Sequence, residues 1–144
     1  MEERVEGNAT TDFGAPGAPC QADSMPLTPA EAKRQAELVE ACWSALAKAA
    51  AKAPAELRKG PRGGGRDRDP ILQHVVGAEA AYARALAIRP REPEATAGAA
   101  VKAFRGELLE ALAANRGKWP SRYAARRIAW HALDHAWEIE DRSH

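Results

Sequence analysis

Four stretches of the chain place apolar side chains at helical spacing. In the first, Leu38, Val39, Cys42, Trp43, Leu46, Ala49 and Ala50 share a face, while Lys33, Glu37, Glu40, Ser44 and Lys48 take the other side. Thr28 is the expected N-cap of this helix, with Pro29 at its first position and Glu31 as capping-box acid, and Pro54 marks its expected stop. Asp69 and Pro70 repeat the entry signature and predict a second helix from Ile71 to about Ile88. Its apolar face is read as Ile71, His74, Ala78, Ala81, Tyr82 and Ala85. Pro90-Arg-Glu-Pro-Glu94 breaks the chain and starts a third helix, whose buried stripe is Val101, Phe104, Leu108, Ala111 and Leu112. Asn115-Arg-Gly117 supplies its C-cap, and Ser121 the cap of a fourth helix over about residues 122–141. On that helix Ala125, Ile128, Ala129, Ala132, Leu133, Ala136 and Ile139 fill one arc, and Arg127, Asp134, Glu138 and Asp141 lie opposite.

Four such elements predict an all-α fold, an up-down-up-down four-helix bundle in which the second and fourth helices can be neighbours. Composition agrees: the 45% hydrophobic share is dominated by alanine, the best helix former, and β-branched residues are scarce. A chain of 144 residues suffices for one domain without disulfide or metal staples. Residues 1–25 hold almost no aliphatic side chains and cannot offset the entropy of their own ordering, so they are read as a disordered tail ahead of a bundle over 26–144. Met25 would make a natural start for the folded part. Residues 54–69 form a long glycine- and arginine-rich connection, either a solvated loop or a basic flap in which Arg58, Lys59, Arg62, Arg66 and Arg68 could meet a carboxylate or phosphate.

Charge narrows the partners little. Lys+Arg 21 against Asp+Glu 20 leaves a net +1, which recommends neither nucleic acid nor an acidic membrane. No apolar run is long enough to span a bilayer, and Met-Glu-Glu-Arg opens the chain with no apolar segment behind it, so a cytoplasmic protein is expected. Cys20 and Cys42 match neither a disulfide framework nor a CxxC motif and are expected to be reduced.

The candidate chemistry lies in the histidines. His131 and His135 stand four apart on the fourth helix, which sets their Cβ atoms roughly 5–6 Å apart on one side, close enough for one metal ion to bridge. They sit at the border between its apolar and polar arcs, a position suited to ligands reaching into a cleft. His74, on the second helix, can face them across the bundle. Three histidines with a vacant fourth position form the open arrangement of a catalytic site for zinc or a similar divalent ion, whereas each alone reads as an ordinary packing or surface residue.

Ile71-Leu-Gln-His-Val-Val-Gly-Ala-Glu79 and Ile128-Ala-Trp-His-Ala-Leu-Asp-His-Ala-Trp-Glu-Ile139 together resemble the DinB/YfiT-like metal-dependent family. Its relatives include bacterial thiol S-transferases and the metal-binding half of mycothiol-dependent maleylpyruvate isomerases. The resemblance runs from about Thr28 to Arg142. It implies a four-helix bundle with a divalent ion, zinc, nickel or iron, on His74, His131 and His135, and frequently a homodimer. The implied chemistry is S-transfer or hydrolysis, with a low-molecular-weight thiol or water activated at the metal and a small molecule as substrate. The chain lacks the second domain of the isomerases, and its Arg/Gly loop matches no family motif.

Around the histidines, Glu138 and Asp134 could orient imidazole N–H groups or act as a base, and Arg127 could hold a carboxylate. For each, a solvated charge or surface salt bridge is the plain alternative. Tyr82 reads as core, and Trp130 and Trp137 as packing against other helices. Opposed to the enzyme stands a non-catalytic helical binding or oligomeric module, whose metal site is idle or absent.

Overall fold

The computed structural model describes residues 3–12 and 14–144. Its elements are α1 (Ala9–Asp12), a 3-10 turn (Gln21–Ser24), α2 (Pro29–Lys52), α3 (Arg68–Ala85), α4 (Gly98–Ala114) and α5 (Ser121–Asp141). Among the described residues there is no strand, and the four long helices pack into one all-helical bundle.

Local chemistry explains most helix ends. Thr28 Oγ1 accepts from the Glu31 amide at 3.2 Å and the Glu31 carboxylate accepts from the Thr28 amide at 3.2 Å, closing the expected capping box. α3 begins earlier than expected, with Asp67 as N-cap and Pro70 still inside the first turn, where no intrahelical N–H is lost. α4 begins later: residues 90–97 are not helical, and the first helical residue is Gly98. The two prolines of Pro90-Arg-Glu-Pro93 disfavour helix over that connection, and Gln73 of α3 ties it down, accepting from the Ala95 amide at 2.8 Å and donating to the Pro93 carbonyl at 3.1 Å. Asn115 ends α4 in the left-handed conformation at φ 52°, as a C-cap asparagine does. Its side chain also pairs with both backbone groups of Leu27, at 2.7 and 3.1 Å, which docks the chain entering α2 onto the end of α4.

α5 is the central element, packed along α2 and also against α3 and α4. Its buried face is Ala124, Ala125, Ile128, Ala132, Ala136 and Ile139, and small alanines let the neighbouring backbones come close. Val39, Trp43, Leu46, Ala49 and Ala50 of α2 and Phe104, Leu108, Ala111 and Leu112 of α4 complete the core largely as their spacing predicts. Leu38 is exposed.

The register of α3 differs from the expected one. The face turned inward is Ile71, Val75, Val76, Glu79 and Ala83, while Ala81 is exposed and His74 and Tyr82 lie at its edge. The face chosen from the sequence is rotated because alanine, spread all round this helix, points nowhere, and because Glu79 breaks the apolar count. Glu79 is 1% exposed. Trp43 Nε1 donates to it at 2.8 Å, and Arg105 donates through Nε and Nη2 at 3.0 and 2.8 Å, so one carboxylate joins α2, α3 and α4. Burial raises the Glu79 pKa, with Arg105 and Trp43 acting against the rise.

Of the stretch expected to be a disordered tail, Ala15 and Asp23 are buried against the bundle while residues 3–10 are exposed, and residues 1, 2 and 13 lie outside the described residues. Asp23 is buried, with Arg126 of α5 donating to its two oxygens at 2.9 and 2.8 Å, and Ala15 is also buried. A segment too poor in apolar side chains to fold alone is here held by an ion pair and by surface that the bundle supplies. No helix of the described residues is long and apolar enough to cross a membrane, and Cys20 and Cys42 are free.

Candidate metal centre

α3 and α5 cross so that His74 meets the His131/His135 pair. One potential ligand atom from each of His74, His131 and His135 lies within 4.8 Å of the others. The Nε2 atoms of His131 and His135 are 3.1 Å apart. This is hydrogen-bond distance between two imidazoles, and it falls a few tenths of an ångström short of the ~3.3–3.4 Å that separates nitrogens bound at ~2.0–2.1 Å to one tetrahedral ion.

Second contacts orient the rings. His135 Nδ1 is 2.7 Å from Glu138 Oε2. A carboxylate accepts only, so Nδ1 carries the proton and the Nε2 lone pair faces the other imidazoles. Glu138 is itself held by Arg142, whose Nη1 donates to Oε1 at 2.7 Å. The same guanidinium donates to the carbonyls of Arg58 and Arg66 at 2.8 and 2.7 Å. The long loop is therefore fastened to the last turn of α5, and a continuous chain of contacts runs from it through Arg142 and Glu138 to His135. Gly65, at φ +117°, is where the loop passes Arg142; a Cβ there would stand 2.6 Å from Nη2.

His131 lies deeper than a border position suggests, at 8% exposure. Burial, then the neighbouring His135, His74 and Arg127, push its pKa down to about 3. The His74 pKa is also lowered, by burial, His135 and Arg66 against an opposing pull from Glu138. His131 is thus neutral at physiological pH, the form that binds a cation without first releasing a proton. Its Nδ1 is buried and has no hydrogen-bond partner among the described residues.

The imidazoles stand between two openings. On one side a cavity of about 380 Å³ is bounded by His131, His135, Tyr82, Arg127, Trp130 and Asp134, with Ala9, Thr10 and Ala15 of the N-terminal segment across from them. On the other, His74 lines an open groove with Arg66, Gln73 and Glu92. Tyr82 and Trp130, expected to be packing residues, are walls of the first cavity, and Trp137 is exposed on the surface. Asp134 is exposed at the cavity and touches neither histidine.

Three of the five basic residues of the loop are paired with acids, while Arg62 and Arg66 form no ion pair among the described residues. Arg58 pairs with Asp141, Lys59 with Asp67, and Arg68 with Asp69. Arg142 has no motif to mark it; the only sequence signal of its role is the i, i+4 spacing from Glu138. Comparison of the chain with protein-family models, with curated proteins and with solved structures finds no match.

Proposed function

We propose that His74, His131 and His135 hold one divalent metal ion, zinc, nickel or iron, in a DinB/YfiT-like up-down-up-down bundle, and that the protein is a metal-dependent thiol S-transferase or hydrolase. The observation that carries the reading is the convergence of three imidazole nitrogens within 4.8 Å, drawn from two helices. A divalent ion bound by three neutral imidazoles keeps a position open, where it lowers the pKa of a water or an incoming thiol toward neutrality. The chain's own groups do the rest. Glu138 fixes the tautomer and direction of His135; His131 offers a neutral ring from a water-poor site; the cavity beside the pair admits a small molecule.

Elemental analysis of untagged protein tests this directly. One metal per site is expected, lost in His131→Ala, together with a thiol-dependent turnover of some small electrophile. Protein that takes up no divalent ion at micromolar concentration contradicts it.

A second reading, a helical binding or homodimeric module without catalysis, has one observation in its favour: Trp137 is 60% exposed on α5, outside the cavity. It expects Trp137→Ala to weaken self-association in sedimentation measurements, and the three His→Ala changes to leave the cellular role intact.

A further inference from the structure

We propose that Arg127 is the anchor for the carboxylate of a small anionic substrate, whose reacting atom is thereby held beside the three histidines; this rests on the metal-dependent reading above. Arg127 precedes His131 by one turn of α5, so both side chains project into the same cavity. It is half-buried there. Among the described residues it forms no ion pair, its Nε is buried without a partner, and its one side-chain hydrogen bond is a long one, Nη2 to the Tyr82 hydroxyl at 3.5 Å. A guanidinium carries five N–H donors in a rigid fork that matches a carboxylate, and nearly all of this fork is unspent.

The group is nonetheless held in place. Its Cζ lies 5.5 Å from the centre of the Tyr82 ring and 5.8 Å from that of Trp119. Cation–π contacts fix the position of a guanidinium without consuming its donors, which is the condition of a preformed anion site. The electrostatics agree. The walls bring the Arg127 cation and two imidazoles, and a bound divalent ion would add positive charge; the one acid among them, Asp134, is exposed at the cavity and forms no ion pair among the described residues. A space of about 380 Å³ has room for a small carboxylic acid.

The test compares two thiols of equal length, 3-mercaptopropionate and 3-mercaptopropan-1-ol, on the full chain loaded with cobalt(II), following sulfur-to-cobalt charge-transfer absorption. The carboxylate thiol should bind at least about tenfold more tightly, the scale of one charge-assisted bidentate pair. Arg127→Gln should abolish that preference while keeping the cobalt spectrum, Arg127→Lys should keep part of it, and Arg66→Gln, in the opposite groove, should leave it unchanged. Equal affinities, a preference that survives Arg127→Gln because the carboxylate chelates the ion, or one lost instead in Arg66→Gln would each overturn the assignment. If no cobalt spectrum develops, the metal reading fails separately. The anchor is then judged on the metal-free chain by titrating succinate against the Arg127 Nε–H resonance: a saturating shift at millimolar succinate supports it, and an unmoved resonance refutes it.

Discussion

His135 turns its Nδ1 to the Glu138 carboxylate at 2.7 Å, and this contact aims its other nitrogen at His131. If Glu138 orients a ligand, Glu138→Ala should lower metal affinity about 10- to 100-fold, the usual cost of losing such a support. Competition against a chromophoric chelator measures it. An unchanged affinity would mean that Glu138 serves Arg142 alone.

Arg142 holds the Arg/Gly loop by two carbonyls and Glu138 by its carboxylate. Arg142→Ala should speed amide exchange of the Arg58 N–H, which donates to the Arg142 carbonyl at 2.8 Å, and lower metal affinity less than Glu138→Ala does. Exchange mass spectrometry resolves the first effect. Gly65→Ala should loosen the same segment, because it adds a Cβ against the guanidinium in a backbone conformation that alanine adopts poorly.

His131 sets a pH dependence on the metal-free protein. Its pKa falls from an ordinary 6.5 to about 3 in the fold, so below pH 6.5 the unfolded chain binds a proton that the folded one refuses. Stability from this group is complete above pH 6.5 and declines as pH falls, by up to about 1.4 kcal/mol per unit, toward pH 3. His74, shifted the same way, adds to the slope. Urea unfolding at pH 7, 6 and 5 should show the decline, and His131→Gln should flatten it. The NMR signals of His131 should remain those of a neutral ring at pH 5.

The buried carboxylate of Glu79 answers to Trp43 and Arg105. Glu79→Ala strands Arg105 with most of its side chain in the interior and should cost about 3–5 kcal/mol by urea unfolding. Replacing Glu79 and Arg105 together by leucine should recover much of that loss, since an apolar pair leaves no orphaned charge. Equal losses in the single and double variants would argue against this coupling.

How much of this was legible in the chain depends on the kind of signal. The Thr28–Glu31 box, the Asn115 cap and the stripes of α2 and α4 follow from local rules, and the structure carries them nearly unchanged. The His131/His135 spacing is equally local. His74 was legible as a candidate, but its place on the rim of α3 was not, because alanines all round that helix leave its inward face undefined. Glu79 reads as a surface acid until Trp43 and Arg105, from two other helices, are brought to it. Arg142 and the loop carbonyls meet only through the tertiary fold. The composition of the segment before Leu27 holds no information about Arg126, more than 100 residues away.

Arg126 holds Asp23 by two short hydrogen bonds and, with burial opposing and the Cys20 amide assisting, brings its pKa down from 3.8 to about 2. The latch therefore contributes fully above about pH 4 and is lost as pH falls toward 2. Because the Arg126 side chain is 43% exposed to water, the pair is worth only about 1–2 kcal/mol after screening. That is enough to decide the position of a segment with few other holds. Asp23→Ala should make the backbone around Ala9–Asp12 and Ala15 more accessible to a nonspecific protease at neutral pH, while the urea midpoint of the bundle moves little. Since Ala9, Thr10 and Ala15 wall the cavity beside His131, the same change should speed zinc uptake measured by stopped-flow with a competing indicator. Uptake as slow as in the unaltered protein, with the segment demonstrably released, would show that metal enters by the His74 groove instead.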